Sequence, residues 1–168
     1  MKILGCWWVS WLAVSAVQAA DPDLGPNVLV FDPAQQGMQE RIDAVFHKQE
    51  RAQFGPGRYA LLFKPGCYEL DVPVGFFTHV AGLGRLPADV TVAGRVWTDA
   101  AWMKRNATCN FWRAVENITV EPAGGVNVWA VSQAAPLRRT HIRGDPRLSS
   151  GGWSSRGFMA DCKVDGTV

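Results

Sequence analysis

The chain has 168 residues, 48% hydrophobic, 11% aromatic and 19% charged, with 17 Lys plus Arg against 15 Asp plus Glu and a formal net charge of +2. That hydrophobicity with so little net charge excludes a disordered chain, and the lack of a basic excess or stripe excludes a protein whose main work is gripping nucleic acid. The length suffices for one domain with a real core.

Met1 and Lys2 lead into an apolar run, Ile3 to Val17, broken only by Gly5, Ser10 and Ser15, and Val17-Gln18-Ala19 puts short side chains at the −3 and −1 positions of a cleavage site. This predicts a secretory signal peptide over residues 1–19. A spanning helix would need about 20 apolar residues, and Asp21-Pro22-Asp23 follows at once. The mature chain is expected to be secreted, extracellular or periplasmic, with no membrane partner. Cys67, Cys109 and Cys162 remain after Cys6 leaves. An oxidising destination permits disulfides, but an odd number leaves a thiol over and the pairing open. Asn106-Ala-Thr and Asn117-Ile-Thr are glycosylation sequons should the host be eukaryotic.

Val28–Phe31 reads as a short apolar strand, and Asp32-Pro33 as a helix-start signal. Apolar residues at Met38, Ile42, Val45 and Phe46 fall on one helical face. The helix is expected from about residue 36 to 53, ending before Gly55-Pro56-Gly57. Tyr59–Phe63 is a continuous apolar strand, Lys64-Pro65-Gly66 a turn, and Cys67–Leu70, Phe77–Ala81 and Val90–Val92 further short strands.

A period then emerges. Ile118-Thr119-Val120, Thr140-His141-Ile142 and Cys162-Lys163-Val164 are each separated by 22 residues, and each is followed by Gly or Pro. A repeat this short is one coil of a β-solenoid made of short strands, whose units bury their apolar faces only by stacking. The end residues of each triplet are expected to point inward and the middle ones outward. The helix would lid the open end of the stack, and the strand edges exposed after Val164 suggest the front part of a longer protein. The chain divides into residues 1–19 (signal), 20–57 (strand and capping helix) and 58–168 (first coils).

Ile42-Asp43-Ala44, Leu62–Tyr68 with its Pro65-Gly66-Cys67-Tyr68 turn, and Val80–Gly84 resemble the N-terminal signature of the pectate-lyase-like superfamily, especially the branch of family 55 glucanases and phage tailspikes. Asn110–Arg113, Glu116–Val120 and Trp129–Arg139 resemble a narrower group of large secreted microbial proteins often labelled adenylyl cyclase or coagulation-factor 5/8-type protein. The resemblance implies an all-β single-stranded right-handed parallel β-helix, C-terminally truncated, with an N-terminal capping helix. It implies a polysaccharide or cell-wall glycan as partner and a role in a glycoside hydrolase-like or lyase-like enzyme. A non-catalytic saccharide-binding or surface protein on the same scaffold is the alternative.

On such a scaffold function sits on outward ladders. The register gives two rows, Asn117, Arg139, Asp161 and Thr119, His141, Lys163. Asp161, Arg139 and His141 are the candidate catalytic groups; Asn117, Thr119 and Lys163 are candidate substrate contacts. Glycoside hydrolysis needs two carboxyl groups, about 5–5.5 Å apart for retention and about 6.5–9.5 Å for inversion, and neither row holds two. Of Trp97, Trp102, Trp112, Trp129 and Trp153, Trp129 reads as core, and Trp102 and Trp153 as the better sugar platforms. No Cys/His spacing fits zinc and no acidic cluster fits calcium, so no metal or cofactor is expected.

Overall fold

The computed structural model describes residues 22–155 and 157–168; the expected signal peptide lies outside them. The described residues are mostly β, with one α-helix, α1 (Met38–Gln49). The strands are β1 (Val28–Phe31), β2 (Tyr59–Phe63), β3 (Gly66–Tyr68), β4 (Asp71–Pro73), β5 (Thr78–Gly82), β6 (Val90–Ala93), β7 (Arg95–Trp97), β8 (Ala114–Glu121), β9 (Val126–Val128), β10 (Pro136–Ile142), β11 (Asp145–Arg147), β12 (Phe158–Ala160) and β13 (Lys163–Val164).

Every pairing among these strands is parallel. The long sheet runs β1-β2-β5-β8-β10-β12, with β3, β6 and β13 continuing its second half; β4 pairs with β7, and β9 with β11. Parallel strands buried on one side need crossovers and continuous apolar rows, and the rows are present. Leu29, Leu61, Val80, Val115, Leu137 and Met159 form one file along the stack. Tyr68, Val92, Val120, Ile142 and Val164 form a second. The 22-residue period is therefore the stacking repeat of the last coils, with Val120, Ile142 and Val164 in one line. Most of these side chains belong to one core cluster, each fully buried one contributing roughly 1.5–3 kcal/mol.

Strict alternation fails at one residue per coil. Asn117, Arg139 and Asp161 have φ of 52°, 50° and 53°, the left-handed region. Each bends its strand, so the inward residues of β8 are Val115, Ile118 and Val120. Phe77, Trp112 and Ala134 form a second left-handed column, with φ of 52°, 55° and 53°, linked by Phe77 N donating to Trp112 O (2.6 Å) and Arg113 N to Ala134 O (3.2 Å). Gly94, at φ +154°, is a different case: a Cβ there would collide with Leu70 O, so only glycine lets the coils approach.

The helix is shorter than the expected span. Gly37, at φ 69°, starts it, and Asp32 instead closes a turn, its Oδ1 accepting from Ala34 N (3.1 Å). Ile42 and Val45 enter the core cluster. Gln39 pairs with the backbone of Asp71 in both directions (2.7 and 3.0 Å). Gln49 Nε2 donates to Phe76 O at 2.6 Å. The helix thus lies along β4, and β1 is the outermost strand of the long sheet. Cys67, Cys109 and Cys162 are free thiols. No helix among the described residues is long and apolar enough to cross a membrane.

Candidate functional site

The two outward rows stack as the period requires: Thr119 pairs with His141 and His141 with Lys163. Their side chains then part company, because the segment from Gly82 to Asp89 folds over part of the wall. Asn117 Nδ2 donates to Gly82 O (3.0 Å) and Gly84 O (2.7 Å). Thr119 is fully buried, contrary to the expected exposure, with its hydroxyl donating to Pro87 O at 3.0 Å. Arg139 Nη2 donates to Arg85 O at 3.1 Å. Those three side chains secure the excursion between β5 and β6, which no local sequence signal places there.

What remains open to solvent is a charged cluster. His141 Nε2 lies 2.8 Å from Asp165 Oδ2, and Lys163 Nζ lies 3.3 Å from Asp165 Oδ1. The His141 hydrogen bond, and after it the Lys163 contact, hold the Asp165 carboxyl below its ordinary value. Arg143 pairs with Glu121 one coil apart. Asp161 stands exposed at its corner. Asp165, held ionised by His141 and Lys163, is suited to hydrogen-bonding hydroxyls rather than to donating a proton. Among the described residues no group of His, Cys, Asp or Glu is arranged to hold a metal ion.

The tryptophans divide between core and surface, Trp129 being core as expected. Trp129 is core, 1% exposed, with Nε1 donating to Ala135 O at 3.1 Å. Trp102 is half-buried and meets Phe76 edge-on at 6.3 Å. Trp153 is 79% exposed. The ordered aromatic surface lies elsewhere, at the corner where Trp112 stacks on Phe77 with centroids 5.0 Å apart and an 18° interplanar angle. Phe77 and Trp112 are far apart in sequence, so nothing local announces the pair; the aromatic doublets Phe76-Phe77 and Phe111-Trp112 are the only hint.

The stacked parallel strands, continuous inner files and polar outer wall define a mostly-β protein of parallel sheets, with one α-helix among the described residues. No protein-family profile matches the chain. It is 54% identical over 149 residues to an exo-beta-1,3-glucanase of Streptomyces sp. (strain SirexAA-E / ActE), a match covering 87% of this chain and 25% of that protein. Among solved structures, sacteLam55A from Streptomyces sp. SirexAA-E matches with a TM-score of 0.84 at 53% identity, covering 86% of this chain and 27% of that one. A variant of sacteLam55A in complex with glucose matches to the same extent. The chain thus spans about a quarter of the length of the curated relative it matches, and it is a homologue of that portion of the glucanase.

Proposed function

We propose that this chain is part of a secreted glycoside hydrolase acting on β-1,3-glucan, folded as a right-handed parallel β-helix of the pectate-lyase-like kind, and that its coils hold the polysaccharide. The observation that carries the reading is the 54% identity to an exo-beta-1,3-glucanase sustained over 87% of the chain, because fold alone does not specify chemistry. Parallel pairing throughout, unbroken inner files and the near-universal right hand of parallel crossovers support the β-helix. The apolar run at residues 3–17 supports export.

In this reading Arg139, His141, Asp161 and Lys163 contact glycan hydroxyls along the wall, with Trp102 and Trp153 as flanking contacts. Asn117 and Thr119 act indirectly, by fixing the Gly82–Asp89 cover. The test is to express the full reading frame and assay release of sugar from β-1,3-, β-1,4- and β-1,6-glucans and from pectate. Turnover confined to β-1,3-glucan is expected; turnover of pectate alone, or none on any substrate, overturns the reading. Binding without turnover in the full protein would instead establish the non-catalytic alternative.

A further inference from the structure

The corner formed by Phe77 and Trp112 has the makings of a site that the polar wall lacks. Arg58 lies over the Phe77 ring, its guanidinium carbon 3.5 Å from the centroid, and Phe77 in turn stacks on Trp112. Cation, phenyl and indole thus form one ordered pile along the stacking direction of the coils. The next corner residue in the column is Ala134, whose methyl leaves the pile open, and Trp112 remains 42% exposed. The result is a cavity of about 480 Å³ lined by Phe77, Thr78, His79, Trp112, Ala134 and Pro136 among others.

Two further observations separate this cavity from an incidental apolar dent. His79 Nε2 is buried at its edge without a hydrogen-bond partner; the nearest acidic atom, Glu116 Oε2, is 3.7 Å away, too far for a hydrogen bond. That nitrogen faces inward, but the rest of the His79 side chain is 45% exposed, so His79 and Glu116 give the aromatic floor a polar edge that a ligand hydroxyl can reach. Phe77 and Trp112 also both take the left-handed backbone, which disfavours large side chains, as Arg139 does in the parallel corner column beside Asn117 and Asp161, which tolerate it. The large aromatics therefore sit where smaller residues would fit with less strain.

We infer that the Phe77–Trp112 corner is a saccharide-stacking subsite: a pyranose ring lays its C–H face on Trp112 in the space above Ala134, and a ring hydroxyl bonds the half-exposed His79–Glu116 pair at its edge. An aromatic floor with a few convergent polar groups at one edge is the chemistry that takes sugars, apolar on one face and hydroxylated at the rim. The identity of the sugar as glucose in a β-1,3-linked chain rests on the function proposed above; the stacking itself does not.

The test uses the full-length protein and β-1,3-linked glucose oligomers of three to six units. Titration of the wild type should change tryptophan fluorescence, and Trp112→Ala should abolish most of that change. In turnover assays Trp112→Ala should raise KM roughly three- to tenfold, the factor that one aromatic contact supplies, with kcat held. Trp112→Phe should recover most of the loss, and His79→Ala should raise KM without altering the unfolding midpoint. Unchanged KM and binding in Trp112→Ala overturns the proposal. So does a variant that binds normally but unfolds at lower denaturant and becomes protease-sensitive, because the corner would then be covered by another part of the chain. If wild type turns over no β-1,3-glucan yet Trp112→Ala loses binding to another pyranose polymer, the subsite stands and the glucanase reading falls.

Discussion

Arg113 is a buried cation with no carboxylate among its hydrogen-bond partners, and replacing it tests whether the interior polar bonds or the apolar files hold the coils in place. It is 4% exposed. Its Nη1 donates to Val74 O (2.6 Å) and Thr98 Oγ1 (2.8 Å), Nη2 reaches Asn110 Oδ1 (3.4 Å), and the guanidinium lies 4.6 Å from the Phe76 centroid. Asn110 extends the network, donating to Asp99 O (2.5 Å) and Ala130 O (2.9 Å). Burial pushes the guanidinium pKa down to about 10, so the group is still charged at neutral pH. Its depressed folded value means the burial penalty is relieved only as pH rises through about 10, so Arg113 adds no slope to stability between pH 6 and 8. Arg113→Met keeps the bulk but takes the donor from Val74 O, Thr98 Oγ1 and, at the longest distance, Asn110 Oδ1, each stranded acceptor costing about 1–3 kcal/mol, while removal of the desolvated charge returns part of that. The expected net loss is about 2–4 kcal/mol, a fall in urea midpoint of roughly 1–2 M, read by tryptophan fluorescence. A midpoint equal to or above wild type would refute the reasoning and make the apolar files sufficient alone.

Two other perturbations probe the corners and the first coil. Asn117→Ala removes both bonds to the Gly82–Gly84 turn and places a less tolerant residue at φ 52°; about 2 kcal/mol should be lost, and Asn117→Gly, which keeps the backbone freedom, should lose less. Equal losses in denaturant melts would remove the backbone from the argument. Burial pushes the Tyr68 phenol, which donates to Lys64 O at 2.7 Å, up to about 12. A raised acid favours folding while it stays protonated, so its contribution is intact below pH 10 and lost between about pH 10 and 12. Tyr68→Phe should flatten that part of an alkaline stability profile, and an unchanged slope would contradict the assignment.

The last coils were legible in the sequence because nothing interrupts them: β8, β10 and β13 keep the 22-residue spacing and pair in register. Earlier coils carry excursions. Gly82–Asp89 and the stretch between Trp97 and Ala114 stretch the spacing from β5 to β8, so the period vanishes there although the inner files persist. The strands β4, β7, β9 and β11 are three residues each, too short for alternation to stand out. The bends were hidden for a different reason. Left-handed corners usually announce themselves through Gly or Asn, yet here Phe77, Trp112, Ala134 and Arg139 occupy them. The wall's orientation followed from period two, but its burial at Thr119 depends on a covering segment brought in by tertiary packing.

The division of labour implied by this arrangement follows from proton chemistry. A general acid for glycoside cleavage must keep its proton near neutral pH, which takes apolar surroundings or a neighbouring like charge. The coil wall does the reverse: Asp165 is drawn below its ordinary value by His141 and Lys163, and Glu121 is paired with Arg143. Adding cations to such a wall strengthens hydrogen bonding to ligand hydroxyls and weakens any carboxyl as an acid. The aromatic corner supplies a stacking surface and one unsatisfied nitrogen, again features of holding rather than cleaving. Under the proposed glucanase function, substitutions on these coils should therefore appear in KM rather than in kcat alone, and a loss of kcat at unchanged KM on substituting Asp165 or His141 would contradict a holding role.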